Sequence, residues 1–299
     1  MAKERADSQV KRTSIIMESE LRTLRYGALY KGIFVLILVF CLITMLPVLW
    51  VLISSTKDID EFYRIPPTII PQSFHPEKIG QVWKMLDFGR AYLNTIIMAI
   101  GTVFFSIAGN GLMAYSLSRI KPKGSDLVLK LLFLTMLLPS GGTLAAKMKL
   151  IVDFPVFHIN FINTPWPMWI MGMASCFTII WFKDYFDSVS QSVIEAARLD
   201  GLGEVGIFTK IMMPLCKPVI FYQVIMNINH AWSDYFWPML IFKNKSLQTV
   251  MVRALALQGK LAMDEQLIML TFVMLPPMIF FVIFQKKFMY GMDGGAVKG

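Results

Sequence analysis

Hydrophobic positions in this chain come in long uncharged blocks, not in the alternating or three-to-four-spaced patterns of a soluble fold. The first block, Gly32 to Ile53, has the length of a membrane-spanning helix. It runs on through Pro47 and Trp50 without the small-residue site that ends a signal peptide, so it reads as an uncleaved span one. Further blocks predict span two at Leu93–Leu117, span three at Leu127–Ala146, span four at Trp166–Phe182, span five at Val219–Phe242 and span six at Leu267–Phe284. Pro139 with Gly141 and Gly142, and the Pro276-Pro277 pair, are expected to kink or break their helices, which membranes tolerate where neighbours or water satisfy the freed backbone groups.

Composition supports a membrane protein. Of the 299 residues 56% are hydrophobic and 16% charged, against roughly 25% charged in soluble chains. The net charge of +9 reads as topology, not nucleic-acid binding: Lys and Arg favour the head, the 118–126 loop, the 183–218 loop and the tail, which puts both termini in the cytoplasm. Lys130, the one cation inside a predicted span, lies near an end from which its ammonium can snorkel to the interface. The expected fold is therefore all-α and polytopic with six transmembrane helices. Residues 1–31 form a cytoplasmic N-terminal segment, 32–53 the first helix, 54–92 an extracytoplasmic loop, 93–284 a five-helix core and 285–299 a cytoplasmic tail.

Little catalytic chemistry is visible. His75, His158 and His230 are far apart and Cys41, Cys176 and Cys216 form no ligand spacing, so neither a metal site nor a cofactor is expected. The chain has no phosphate-binding G-x-x-x-x-G-K-[ST] loop and no G-x-S-x-G elbow, so it is not expected to hydrolyse ATP itself.

The 36 or so residues between spans four and five are too polar to span and too apolar for a plain connector. Ser188 with Gln191 fits a capping box, Val193, Ile194, Ala196, Ala197 and Leu199 follow at helical spacing, and Gly201 supplies a C-terminal cap. A second amphipathic stretch carries Val205, Phe208, Ile211 and Met212, with Pro214 as its end. These residues predict either a helical knob docked on the protein or an interfacial helix lying on the bilayer.

The run Glu195-Ala196-Ala197, Gly201, Ile211 and Pro214 resembles the EAA motif of binding-protein-dependent ABC importer permeases. Arg198, Leu199 and Asp200 match its sugar-importer version, as does the run Asn229, Trp232, Asp234, Trp237 and Pro238. The ending Gly294-Gly295-Ala296-Val297-Lys298-Gly299 is similar to that of maltose-type permeases. Met213 in place of Leu, and Ser190, Ser192 and Ile194 in place of Pro and acidic residues, depart from the pattern. The resemblance implies that Glu195, Ala196, Ala197, Asp200, Gly201 and Pro214 belong to a cytoplasmic coupling helix between spans four and five. It further implies a second homologous permease, two ATP-binding subunits that hold ATP and Mg, and an extracytoplasmic solute-binding protein, in a bacterial cytoplasmic membrane. The expected cargo is a carbohydrate, an oligosaccharide by the maltose-type match.

Span five also carries Asn227, Asn229, His230 and Asp234 among Trp232, Tyr235, Phe236 and Trp237. Polar groups at membrane depth are expensive unless they face a cavity or each other, and aromatic faces beside amides and carboxylates suit a sugar. The same residues also fit an interfacial aromatic belt. Asn227 and Asp234, near two turns apart, are expected on one face, with Asn229 and His230 off it. Asn110, between Gly109 and Gly111, is expected to bond across a close helix contact. The 54–92 loop reads either as a plain connector or as a surface that receives the binding protein. An autonomous secondary carrier or channel is the alternative function, although no second copy of a span set is visible. A membrane enzyme would rest on the His230–Asp234 pair alone.

Overall fold

The computed structural model describes residues 24–66, 68–73, 75–137 and 140–296, and it is all-helical in architecture. Pro67, Pro139, residues 1–23 of the head and the closing Val297-Lys298-Gly299 lie outside the described residues. The chain divides into two units, Met1–Phe74 and His75–Gly299.

The first unit holds α1 (Leu24–Ser54) and α2 (Ile59–Phe62). Within α1, Ala28–Ser54 is long and apolar enough to cross a membrane. After it, Glu61 is 3% exposed and organises the loop. Its carboxylate accepts bonds from the Thr68 hydroxyl (2.8 Å), the Gln72 amide (3.0 Å) and the Ser73 amide (3.1 Å) and hydroxyl (2.9 Å). The Lys57 ammonium donates to the Thr68 carbonyl and lies 4.3 Å from the Trp50 ring centroid. Residues 54–73 are thus a clip built around a buried carboxylate.

The second unit begins with α3 (Pro76–Met85) and α4 (Phe88–Tyr115), the latter running on through a π-helical turn at Ser116–Ile120. Then come α5 (Ser125–Leu137), α6 (Leu144–Val152), α7 (Trp166–Gly172) and α8 (Cys176–Asp187). The knob follows: α9 (Gln191–Leu199), α10 (Glu204–Ile207), a π-helical turn at Phe208–Met212 and α11 (Met213–Leu215). The chain closes with α12 (Lys217–Ser233), α13 (Phe236–Ile241), α14 (Val250–Leu257) and α15 (Met263–Ala296).

Three helices of the described residues are long and apolar enough to span: Ala28–Ser54, Phe88–Ile120 and Met263–Gln285. They contain predicted spans one, two and six. Predicted spans three, four and five are not single helices. α5 ends at Leu137 and α6 starts at Leu144; α7 and α8 are separated by Met173–Ser175; α12 and α13 are separated by Asp234 and Tyr235. Pro276-Pro277 behaves in the opposite sense, because α15 passes through both prolines without a break.

Two side chains explain how. A proline lacks the N–H that would bond the carbonyl four residues back, so Pro276 and Pro277 leave the carbonyls of Phe272 and Val273 without helical donors. The Tyr92 hydroxyl of α4 donates to the Phe272 carbonyl, and Trp232 Nε1 of α12 donates to the Val273 carbonyl at 3.0 Å. The same rings sit in a cluster where Tyr92 and Trp232 are 5.2 Å apart and Trp83 and Phe272 5.0 Å apart. α15 is held to α4 and α12 by the acceptors its prolines set free.

Tyr92→Phe should cost about 1–3 kcal/mol by orphaning the Phe272 carbonyl. Adding Pro276→Ala should recover part of that loss, since alanine restores a backbone donor at that position; thermal unfolding in detergent of the two variants checks this. In the first unit, burial pushes the Glu61 carboxyl up, but the donors from Thr68, Gln72 and Ser73 outweigh it and hold it down at about 2, from 4.5. The clip should therefore be fully formed above pH 4.5 and be lost as pH falls through about 2. Hydrogen exchange at the Gln72 and Ser73 amides should show protection at pH 5 that Glu61→Gln removes.

Candidate functional site

The knob is fastened from within. Ile194 and Ala197 of α9, Ile207 of α10, and Phe208 and Met212 of the π turn are buried against Ala114, Tyr115, Ile179, Phe182 and Phe186 of α4 and α8. This packing is that of a docked hairpin. The helix starts two residues later than the capping-box reading expects: Ser190 caps α9, its hydroxyl 3.4 Å from the Ser192 amide, whereas Ser188 closes α8 and donates to the Tyr185 carbonyl at 2.7 Å. The far end is a Schellman turn. Gly201 has φ +83, its amide donates to the Arg198 carbonyl and the Leu202 amide to the Ala197 carbonyl, both at 3.0 Å.

Pro214 does not end the second stretch. It lies inside the last turn, α11, and the direction changes by 79° between Glu204–Leu215 and Lys217–Ser233. Val205, expected on the buried face, is 78% exposed, and Ile207 takes its place inside. Glu195, Ala196 and Asp200 are exposed on the outer face, with Leu199 at 90% exposure beside them. Of the predicted coupling residues only Ala197 is buried.

A cavity of about 280 Å³ lies among α4, α6, α7, α8, α12 and α13. Asn227, His230 and Asp234 line it together with Gln223, along one stripe of α12 and the residue that ends it. His230 therefore shares the face of Asn227 and Asp234, contrary to expectation, because residues 223, 227, 230 and 234 follow the helical repeat. Asn229 does not line the cavity; its carbonyl accepts from the Ser233 hydroxyl at 2.9 Å.

Asp234 also ends the helix. Its backbone is extended (φ −71, ψ 119), and its Oδ1 accepts from the amides of Phe236 at 3.0 Å and Trp237 at 3.4 Å, which restarts the chain as α13. Its Oδ2 is buried without a hydrogen-bond partner, as is the Thr102 hydroxyl on another wall. Gln223 Nε2 donates to Thr178 Oγ1 at 3.1 Å, and Asn227 Nδ2 to the Gln223 carbonyl at 2.7 Å and Ser106 Oγ at 3.4 Å. The sequence reading missed Gln223, Thr102, Ser106, Thr178 and Lys147. Gln223 was findable, one turn before Asn227; the others sit on separate helices with no local signal.

Asn110 bonds across a close helix contact as expected, and it does so at the break between α7 and α8. Fully buried, it donates to the Gly172 carbonyl at 2.9 Å and accepts from the Ser175 amide at 2.8 Å, one group from each broken end. Gly109 makes the approach possible, since a Cβ there would meet Met173 Cβ at 2.7 Å.

The helices are thus broken around a polar cavity, with a docked knob on one loop. Residues 107–292 match the family described as "Binding-protein-dependent transport system inner membrane component", and the chain belongs to it. The chain is 26% identical to "Probable ABC transporter permease protein YurM" of Bacillus subtilis, over 90% of this chain and 88% of that one. It is 28% identical to the melibiose/raffinose/stachyose import permease protein MelC of Bacillus subtilis, over 76% and 82%. A bacterial ABC transporter involved in import of the acidic polysaccharide alginate has a chain of similar fold, with a TM-score of 0.76 at 22% identity, covering 92% of this chain and 100% of that one.

Asn110→Ala should orphan the Gly172 carbonyl and the Ser175 amide together, at about 1–3 kcal/mol for each group left unsatisfied. Thermal unfolding of the purified protein should show the loss, and Asn110→Asp should recover only the acceptor half.

Proposed function

We propose that this chain is one permease subunit of an ATP-driven importer that carries a carbohydrate delivered by an extracytoplasmic binding protein. It pairs with a second, homologous permease, and two ATP-binding subunits supply hydrolysis, so this chain is not itself an enzyme. Family membership supports the assembly, and the sugar-transporting relatives support the cargo. α5 with α6, α7 with α8, and α12 with α13 act as three broken spans beside the three continuous ones, giving six crossings with both termini in the cytoplasm.

The observation that carries the reading is the knob's outer face. Val193, Ala196, Leu199 and Val205 are apolar side chains turned away from the chain's own core, with Glu195 among them, on a turn fixed by Gly201. Exposed apolar groups beside a charge suit a protein partner, here an ATP-binding subunit. Asn227, His230 and Asp234 face the cargo's path, where hydroxyl groups can meet Asp234 Oδ2 and an apolar sugar face can meet Trp237; Asn229 stands outside it.

The test is reconstitution of all subunits in vesicles, with ATP inside and melibiose or raffinose delivered by the binding protein. Uptake should require ATP and not an ion gradient. Glu195→Lys and Gly201→Asp should insert and accumulate as the unsubstituted chain does yet lower uptake about tenfold or more, the effect of losing about 1–2 kcal/mol of coupling. Failure of both to accumulate in membranes would assign the knob a folding role instead.

A further inference from the structure

The knob is continuous in sequence with α8 and α12, but its side-chain hydrogen bonds run to the end of α4. At its entry, the Arg119 guanidinium donates to the carbonyls of Phe186 and Val189, the latter at 2.6 Å, and to Gln191 Oε1 at 3.1 Å. One planar fork thereby serves a carbonyl in the last turn of α8, a carbonyl of the linker that follows and the first residue of α9, where a cation also complements the helix C-terminus. Beside it, Ser118 donates to Asp187 at 2.5 Å. Midway through the knob, at the start of α10, the Tyr115 hydroxyl donates to Glu204 Oε2 at 2.6 Å, and Arg198 of α9 holds Glu204 Oε1 at 2.8 Å.

The knob is therefore tied at its entry and at its middle to one stretch of one helix, and the same helix lines the cavity with Thr102 and Ser106. A force on the knob's exposed face has a stiff path: through Arg119 and Tyr115 into α4, and along α4 to the cavity wall. We propose that Arg119 and Tyr115 are positioning residues that make the knob and α4 move as one body, so that α4 carries the knob's displacement to the cavity. This rests on the coupling role given to the knob above.

The experiment uses the complete complex in vesicles and reads sugar uptake per ATP hydrolysed. Tyr115→Phe removes one hydroxyl, and Arg119→Lys keeps the charge but loses the fork. With assembled complex recovered in normal yield, each should lower uptake per ATP about tenfold, the loss expected when a hydrogen bond to a charged group worth about 1.5–3 kcal/mol is removed. A merely structural role would lower the yield and leave that ratio unchanged. A second measurement needs neither variant: spin labels at Ile120→Cys and Lys210→Cys should keep one separation through the ATP cycle. An unchanged ratio in both variants, or a separation that changes during the cycle, overturns the proposal. Absence of any ATP-driven uptake by the unsubstituted complex overturns the importer reading and this proposal with it.

Discussion

A helix that crosses hydrocarbon can break only where neighbouring groups or water in a cavity satisfy the backbone groups set free, and in the larger unit of this chain neighbouring side chains do so. At the α7–α8 break the donor and acceptor are supplied by a single amide, Asn110. At the α12–α13 break the freed amides of Phe236 and Trp237 are taken by Asp234. In α15 the two prolines keep the helix geometry but free two carbonyls, and Tyr92 and Trp232 reach across to claim them. Each irregularity is thus also an interhelical or local tie, placed around the helices that enclose the cavity.

Polar residues in such a chain have two separate uses, and burial alone does not tell them apart. Asn110 is fully buried, and its amide is bonded to the backbone of Ser106, Gly172 and Ser175. Asp234 is only half spent: one oxygen caps α13 and the other has no partner. The distinction between spent and available polar groups rests on unused hydrogen-bonding capacity, which is a property of geometry and not of residue type.

That explains what was legible in the sequence. Hydropathy found the continuous spans, because α1, α4 and α15 announce themselves by uncharged length. Gly201 was legible as a C-terminal cap because a positive φ favours glycine, and helical spacing found Ile194, Ala197, Phe208 and Met212 of the knob's buried face but wrongly added Val205. Gly141 and Gly142 marked the break between α5 and α6, but the breaks at α7–α8 and α12–α13 were not legible. Met173–Ser175 carries neither proline nor a charge, and its stability depends on Asn110, more than sixty residues away in sequence. At Pro276-Pro277 the expected kink or break is not a break, because the donors that take up the freed carbonyls lie on two other helices. Ser188 and Ser190 are equally good caps locally, and tertiary packing of α8 decided between them. Local signals specify elements; the ties that place the elements are non-local.

The cavity's hydrogen bonds also give it a direction. At the end nearer the knob, Gln223 and Asn227 are spent on α12's own backbone and on Thr178 and Ser106, which draws α8 and α4 against α12. At the far end Asp234 keeps a free oxygen. Opening the near end requires α12 to part from α4 and α8, which breaks the Gln223–Thr178 and Asn227–Ser106 bonds at a net cost of about 1 kcal/mol each. α12 starts directly beyond the 79° bend that follows the knob, so the helix that carries these bonds is the one next to the knob in sequence.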